Sequence, residues 1–97
     1  MCKSEIFAEI LEAVSRETEV SAAQILGCSK HMVVVDARSI TAKLLNEKGL
    51  YPEQIAVLMH KTAASVRYLL SNYENRKSAN KIIAIYTQNV RKSLAKD

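Results

Sequence analysis

The side chains most often used for metal binding and nucleophilic catalysis are scarce in this chain, which has two cysteines and two histidines. His31 and His60 lie far apart, and neither has a carboxylate or thiol at metal-ligand spacing. Cys28 lies close to Lys30 and His31, whose positive charge favours a thiolate, but a nucleophile also needs a positioned base and oxyanion donors. No glycine-rich phosphate loop occurs in the sequence. We therefore predict a protein that is not an enzyme, with no metal, no cofactor and no small-molecule substrate.

Binding of phosphate groups is the other chemistry that the residue types allow, and the distribution of charge favours it. The formal net charge is +4, but residues 1–20 contain five glutamates against two basic side chains, a balance of −3. Residues 60–92 contain seven basic side chains against one glutamate, a balance of +6. Because affinity for nucleic acid rises with the number of phosphates neutralised, a local cluster matters more than the total. The alternative is that these lysines and arginines only solvate the outer faces of two helices.

The composition predicts a single folded domain built of helices. The chain has 97 residues, of which 48% are hydrophobic and 25% charged, and it contains only two glycines and one proline. A chain of this length is too short for a large α/β enzyme, and so few turn residues favour long helices. Residues 1–20 carry five glutamates and no apolar run, so we expect neither a signal peptide nor a membrane anchor, and a cytoplasmic protein. We predict an all-α domain over residues 1–97 with about six helices.

Apolar residues recur at helical spacing in six segments, whose ends are marked by capping residues. The predicted capping residues are Ser4, Ser21, Thr62 and Ser78. The β-branched triplet 33–35 should form the entry of the third helix, and Pro52 should lie in the first turn of the fourth. Thr18 should lie beyond the end of the first helix, and Gly27 should end the second in a left-handed conformation. The third helix should run from about Val34 to Lys48 and stop at Gly49, and the fifth should run to about Asn75. Residues 78–97 form an extra C-terminal helix in this prediction.

The fourth and fifth segments have the pattern of a helix-turn-helix. A helix of about eight residues is followed by the turn His60-Lys61-Thr62 and then by a longer helix. An inner stripe runs from Val66 to Tyr73, which leaves small and polar side chains on the outer face. The predicted outer face comprises Ala64, Ser65, Arg67, Tyr68, Ser71 and Asn72.

Three stretches of the sequence resemble the C-terminal DNA-binding domain of DnaA, the bacterial chromosomal replication initiator, which has a Trp-repressor-like helix-turn-helix. Together they span residues 20–75. The first is Val20-Ser21 with Ile25-Leu26-Gly27, and the second is Val33-Val34 with Ala37-Arg38-Ser39-Ile40. The third comprises Leu50, Pro52, Glu53, Ile55, Leu58 and Val66 at the spacings of the family's Leu-Pro-Glu-Ile-Gly helix and the start of its recognition helix.

The resemblance implies that the helix-turn-helix enters the major groove of DNA while a basic loop before the middle helix reaches the minor groove. The loop is equivalent to residues 28–32, where Lys30 and His31 are the potential cations and Met32 replaces the family's inserted arginine. Ser39 stands where the family has a glutamine that faces the DNA. The family's Gly-Gly-Arg turn corresponds to residues 59–61, and its base-reading Asp-His-Thr-Thr corresponds to residues 62–65. Of the family's two threonine positions, only the one occupied by Ser65 keeps a hydroxyl.

The residues that remain suit phosphate contact better than base recognition. Arg38, Lys61, Arg67 and Tyr68 are the predicted phosphate-facing side chains, and Thr62 offers a hydroxyl at the start of a helix. Phosphate contacts orient a protein on DNA, whereas sequence specificity needs donors and acceptors at the base edges. We therefore predict a module that binds double-stranded DNA with weak or altered specificity, in replication or in regulation of a mobile element.

The alternative is a helical protein-interaction or dimerisation module that has lost DNA binding. Its partner surfaces would be the acidic first helix and the apolar stripe of the final helix, at Ile83, Tyr86 and Val90. A homodimer or a protein partner bound through the C-terminal helix would leave this stripe uncovered within one chain.

Overall fold

The computed structural model describes residues 2–95 and contains six helices within that range. They are α1 (Lys3–Thr18), α2 (Ala22–Leu26), α3 (Met32–Glu47), α4 (Pro52–Met59), α5 (Ala63–Ala79) and α6 (Lys81–Leu94). No strand occurs among these residues, so the predicted all-α fold class is confirmed. The predicted C-terminal segment 78–97 ends in residues 96 and 97, which lie outside the described part of the chain.

The middle helix, α3, forms the centre of the fold. Ten of its 16 residues are buried, including the predicted stripe Ala37, Ile40, Leu44 and Leu45. It packs against α1, α2, α4, α5 and α6, so the rest of the chain is arranged around it. The triplet 33–35 is helical as predicted, and α3 begins slightly earlier than expected, at Met32. Gly49 follows the helix with a φ of 97°, which confirms it as the stop.

Several predicted capping residues are confirmed. The hydroxyl of Ser21 accepts a hydrogen bond from the amide N of Gln24, whose side chain accepts one from the amide N of Ser21 in return. Pro52 occupies the first turn of α4, where a missing N–H costs nothing. The hydroxyl of Thr62 accepts a hydrogen bond from the amide N of Ser65 at 3.1 Å and so caps α5.

Other predicted helix ends were wrong. Helix α1 begins before Ser4, because the carbonyl of Cys2 already accepts hydrogen bonds from Glu5 and Ile6. Thr18 is the last residue of α1, where its hydroxyl donates to the carbonyl of Val14 at 2.7 Å. Two further differences concern Gly27, which is extended at φ −82° and ψ −162°, and Ser78, which lies inside α5. The cap of α6 is instead Asn80, whose side chain accepts from the amide N of Ile82.

The apolar stripe of α6 is covered within the chain. Ile83 and Val90 are each 1% exposed and Tyr86 is half-buried, because α6 packs mainly on α1 and also on α5 and α3. The predicted partner seam is therefore part of the core. The hydroxyls of Tyr73 on α5 and Thr87 on α6 lie 2.6 Å apart in this core. The radius of gyration is 12.0 Å, close to the value of about 12.5 Å expected for a folded domain of this length.

Candidate nucleic-acid interface

The helix-turn-helix predicted from the sequence consists of α4, the turn at residues 60–62, and α5. His60 ends α4 in a left-handed conformation, with a φ of 58° and a ψ of 43°. The amide N of Lys61 then donates to the carbonyl of Ala56 at 2.9 Å, and Thr62 caps α5. In this turn a histidine therefore adopts the conformation that glycine favours.

The first turns of α5 divide into a buried and an exposed face. Val66 and Leu69 are buried against the core. Ser65, Arg67 and Tyr68 are exposed, as predicted, and the exposed fraction of Tyr68 is 62%. These three side chains can therefore be approached by a large ligand.

The guanidinium of Arg67 is already engaged within the protein. It forms an ion pair with the carboxylate of Glu53 on α4, and both side chains are more than half exposed. Exposed ion pairs contribute little, about 0–1 kcal/mol, so a phosphate group can compete for this guanidinium.

Arg38 is buried beneath the loop that joins α2 to α3. Its Nε donates to the carbonyl of Ile25 at 2.7 Å, and its Nη1 donates to that of Ser29 at 3.0 Å. Its Nη2 donates to the carbonyls of Gln24 and Gly27 at 3.0 and 2.9 Å. Burial lowers the pKa of the Arg38 guanidinium, and the Coulombic effect of Cys28 opposes that shift. Arg38 thus holds the loop rather than presenting its guanidinium to solvent.

Lys61 connects the same loop to the helix-turn-helix. Its ammonium group donates to the carbonyl oxygen of Gly27, which also accepts from Arg38. Two cations, one from α3 and one from the turn before α5, therefore meet at one main-chain oxygen. Because of this shared acceptor, the loop and the turn lie side by side on one surface.

A cavity of about 550 Å³ opens between the loop and the start of α5. Six of the predicted site residues line it, namely Lys30, Arg38, Lys61, Thr62, Ser65 and Tyr68. Cys28, His60 and Arg76 also contribute to the wall, as do the apolar side chains of Val35 and Leu69. The structure thus brings together side chains that are up to 48 residues apart in the sequence.

The other three predicted residues lie outside the cavity wall. His31 is exposed and precedes α3 as its N-cap residue, while Arg67 lies on the outer face of α5. Ser39 is fully buried, and its hydroxyl donates to the carbonyl of Val35 at 2.9 Å. Ser39 is therefore placed in the core and not at a surface that faces a ligand.

Two acidic residues that the sequence reasoning missed shape this surface. Asp36 forms an ion pair with Arg76 at 2.8 Å at the edge of the cavity, and Glu53 pairs with Arg67. The position of Glu53 on the first helix of the helix-turn-helix could have indicated that it faces a cation on the second helix. The Asp36–Arg76 pair joins residues 40 positions apart and had no such signal.

Comparisons with known proteins found no match for this chain among protein-family models, curated proteins or solved structures. Over residues 2–95 no helix is both long and apolar enough to span a membrane. Within the same range, no three histidine, cysteine, aspartate or glutamate side chains are grouped so that they could hold a metal ion.

Proposed function

We propose that this protein is a helix-turn-helix module that binds double-stranded DNA, resembling the DNA-binding domain of the replication initiator DnaA. The observation that carries the proposal is the shared surface of the α2–α3 loop and the exposed start of α5. Lys30 and Lys61 lie on this surface with Ser65 and Tyr68. A role on bacterial DNA, in replication or in regulation, would place the protein in the cytoplasm.

The chemistry of this surface favours contact with phosphates over recognition of bases. The first turn of α5 contains Ala63 and Ala64, which have no side-chain donor or acceptor for a base edge. The cations and hydroxyls nearby suit phosphate oxygens, which are the same at every base pair. Binding should therefore be sensitive to salt and only weakly dependent on sequence.

The test is a salt titration of duplex DNA binding, measured by fluorescence anisotropy, with Arg67→Gln as the variant. The logarithm of the affinity should fall linearly with the logarithm of salt concentration, by a slope of about 0.9 for each phosphate contacted. Loss of one contact in Arg67→Gln should reduce the slope by about 1.

Arg16→Gln is the matched control for Arg67→Gln. Arg16 is an exposed arginine that also pairs with a glutamate, Glu12, but it lies on the acidic helix α1. The Arg16→Gln variant should leave the slope of the salt dependence unchanged. Absence of binding at low salt by the folded protein, or an equal loss in both variants, would refute the proposal.

A second candidate function, a protein-interaction module, is favoured by exposed apolar side chains. Met32 and Val33 at the start of α3 are 71% and 60% exposed, and Val57 on α4 is 75% exposed. Because the predicted stripe of α6 is covered, a partner would bind exposed apolar side chains such as these instead. Light scattering over a range of concentrations tests for a homodimer, which the monomeric DNA-binding module does not require. In a dimer that binds DNA, the two α5 helices should lie about 34 Å apart.

A further inference from the structure

Arg38 forms no ion pair with a carboxylate within the described chain. Arg38 is 7% exposed, and its hydrogen-bond acceptors are the carbonyls of Gln24, Ile25, Gly27 and Ser29. Buried charges are usually paired, because desolvation of an isolated charge is costly. The cavity wall therefore contains a buried cation that is held by neutral carbonyls and not by a carboxylate.

The other charged side chains of the cavity wall have the same sign. Lys30, Lys61 and Arg76 line the cavity together with Arg38, and no aspartate or glutamate of the described chain lines it. Arg76 is balanced by Asp36. Lys61 contacts a neutral carbonyl and, like Arg38, forms no ion pair among residues 2–95. The electrostatic field inside the cavity should therefore favour an anion.

Hydroxyl groups at the start of α5 provide donors beside these cations. The oxygen of Thr62 accepts a hydrogen bond from the amide N of Ser65, which leaves the Thr62 proton available to donate. Ser65 and Tyr68 contribute two more hydroxyls to the wall. The positive end of the α5 dipole lies at the same place, since Thr62 is the N-cap residue.

We infer that this cavity binds a phosphate group, with Lys30, Lys61 and the Thr62 hydroxyl contacting its oxygens over the buried charge of Arg38. Most N–H groups of Arg38 are already used by carbonyls, so Arg38 acts mainly through its charge. The volume of about 550 Å³ lies within the range of about 300–1,000 Å³ typical of small-molecule sites, so a whole nucleotide is an acceptable occupant. The phosphate could come from the DNA backbone or from a free nucleotide. The inference rests on the proposed function only where the DNA backbone is the source.

The experiment is an NMR titration of the whole ¹⁵N-labelled chain with adenosine monophosphate at constant ionic strength, with adenosine as the phosphate-free control. The nucleotide should cause saturable shifts of amides in residues 27–31 and 60–65, and adenosine should not. Lys61→Gln should weaken binding by about tenfold, the effect of losing one charge-assisted hydrogen bond. Lys30→Gln is the second variant and should also weaken nucleotide binding. It tests the cavity independently of any disturbance that Lys61→Gln causes in the turn.

Lys81→Gln is the matched control, because it removes the same charge from an exposed residue at the start of α6, outside the cavity wall. It should bind the nucleotide as the unaltered chain does. Shifts that do not saturate, equal shifts with adenosine, or equal weakening in Lys81→Gln would overturn the inference.

A second titration, with a short DNA duplex, separates the two sources of phosphate. Displacement of the nucleotide by DNA identifies the backbone phosphate as an occupant, whereas simultaneous binding of both identifies the free nucleotide. Nucleotide binding is measured without DNA, so failure to bind the duplex would refute the proposed function and leave the cavity assignment intact. Binding of the duplex with no nucleotide binding would refute the cavity assignment alone.

Discussion

The guanidinium of Arg67 on α5 is paired with the carboxylate of Glu53 on α4, so the first helix of the helix-turn-helix holds a cation of the second. Both side chains are exposed to solvent, at 56% and 62%. The pair therefore contributes little to stability, but the carboxylate lies where a DNA phosphate would approach Arg67. If the proposed function holds, the contact that orients Arg67 also competes with a phosphate for its guanidinium.

Removal of this carboxylate should strengthen DNA binding. In Glu53→Gln we expect the affinity for duplex DNA at low salt to rise about threefold, with the free energy of unfolding changed by less than about 0.5 kcal/mol. Glu74→Gln is the control, because Glu74 is 64% exposed, pairs with Lys77, and carries the same charge on the distal part of α5. Anisotropy titrations measure the DNA affinity of both variants. Equal gains in the two variants would mean that only the net charge matters.

The loop between α2 and α3 should depend on Arg38 for its stability. Arg38→Met would remove one donor from each of four main-chain carbonyls, and we expect a loss of roughly 3 kcal/mol in the free energy of unfolding. The carbonyl of Gly27 would keep its second donor, Lys61. Arg38→Lys should recover only part of this, because an ammonium group cannot reproduce the forked geometry of a guanidinium. Urea denaturation measures both, and the exposed Arg16→Met provides the control. A loss no greater than in Arg16→Met would contradict the assigned role.

The turn of the helix-turn-helix should accept glycine at position 60. His60 has a φ of 58°, a conformation that costs a non-glycine residue roughly 1–2 kcal/mol and is worst for β-branched side chains. His60→Gly should therefore be neutral or stabilising by up to about 1 kcal/mol, while His60→Val should be clearly destabilising. Glu19, with a φ of 61° at the end of α1, should respond in the same way. Thermal unfolding measures the relative stability of these variants. Equal stability of the glycine and valine variants would show that the left-handed backbone at position 60 imposes no such cost.

The buried hydroxyl pair between α5 and α6 should show a directional hydrogen bond. The hydroxyl of Thr87 lies 2.7 Å from the carbonyl of Ile83, to which it donates, so Tyr73 must donate to Thr87 across their 2.6 Å contact. Tyr73→Phe should cost about 1 kcal/mol, and Thr87→Val about 2 kcal/mol because it leaves the Tyr73 hydroxyl buried without an acceptor. In a double-mutant cycle measured by denaturation, the combined loss should be less than the sum. Additive losses would show that the two hydroxyls do not interact.

The helix ends show where local reasoning succeeds and where it fails. Ser21 and Thr62 were correctly predicted as caps because the groups they bond lie three residues away in the same segment. Ser78 was a plausible cap by residue type, but α5 continues past it to Ala79 and Asn80 caps α6. Several residues near Ser78 can cap a helix, and the packing of α6 against α1 selects among their positions.

The sequence by itself determined the all-α class, the order of the helices, most of the core stripe and the helix-turn-helix pattern. These follow from apolar spacing and capping, which operate over one or two turns of helix. Only the tertiary structure decided which cations are accessible. Arg38 is used by carbonyls 9–14 residues earlier in the chain, Lys61 reaches Gly27, and the stripe of α6 is covered by α1. Such contacts join segments that are distant in the chain, so no local pattern specifies them, and they define the cavity that gathers the basic side chains.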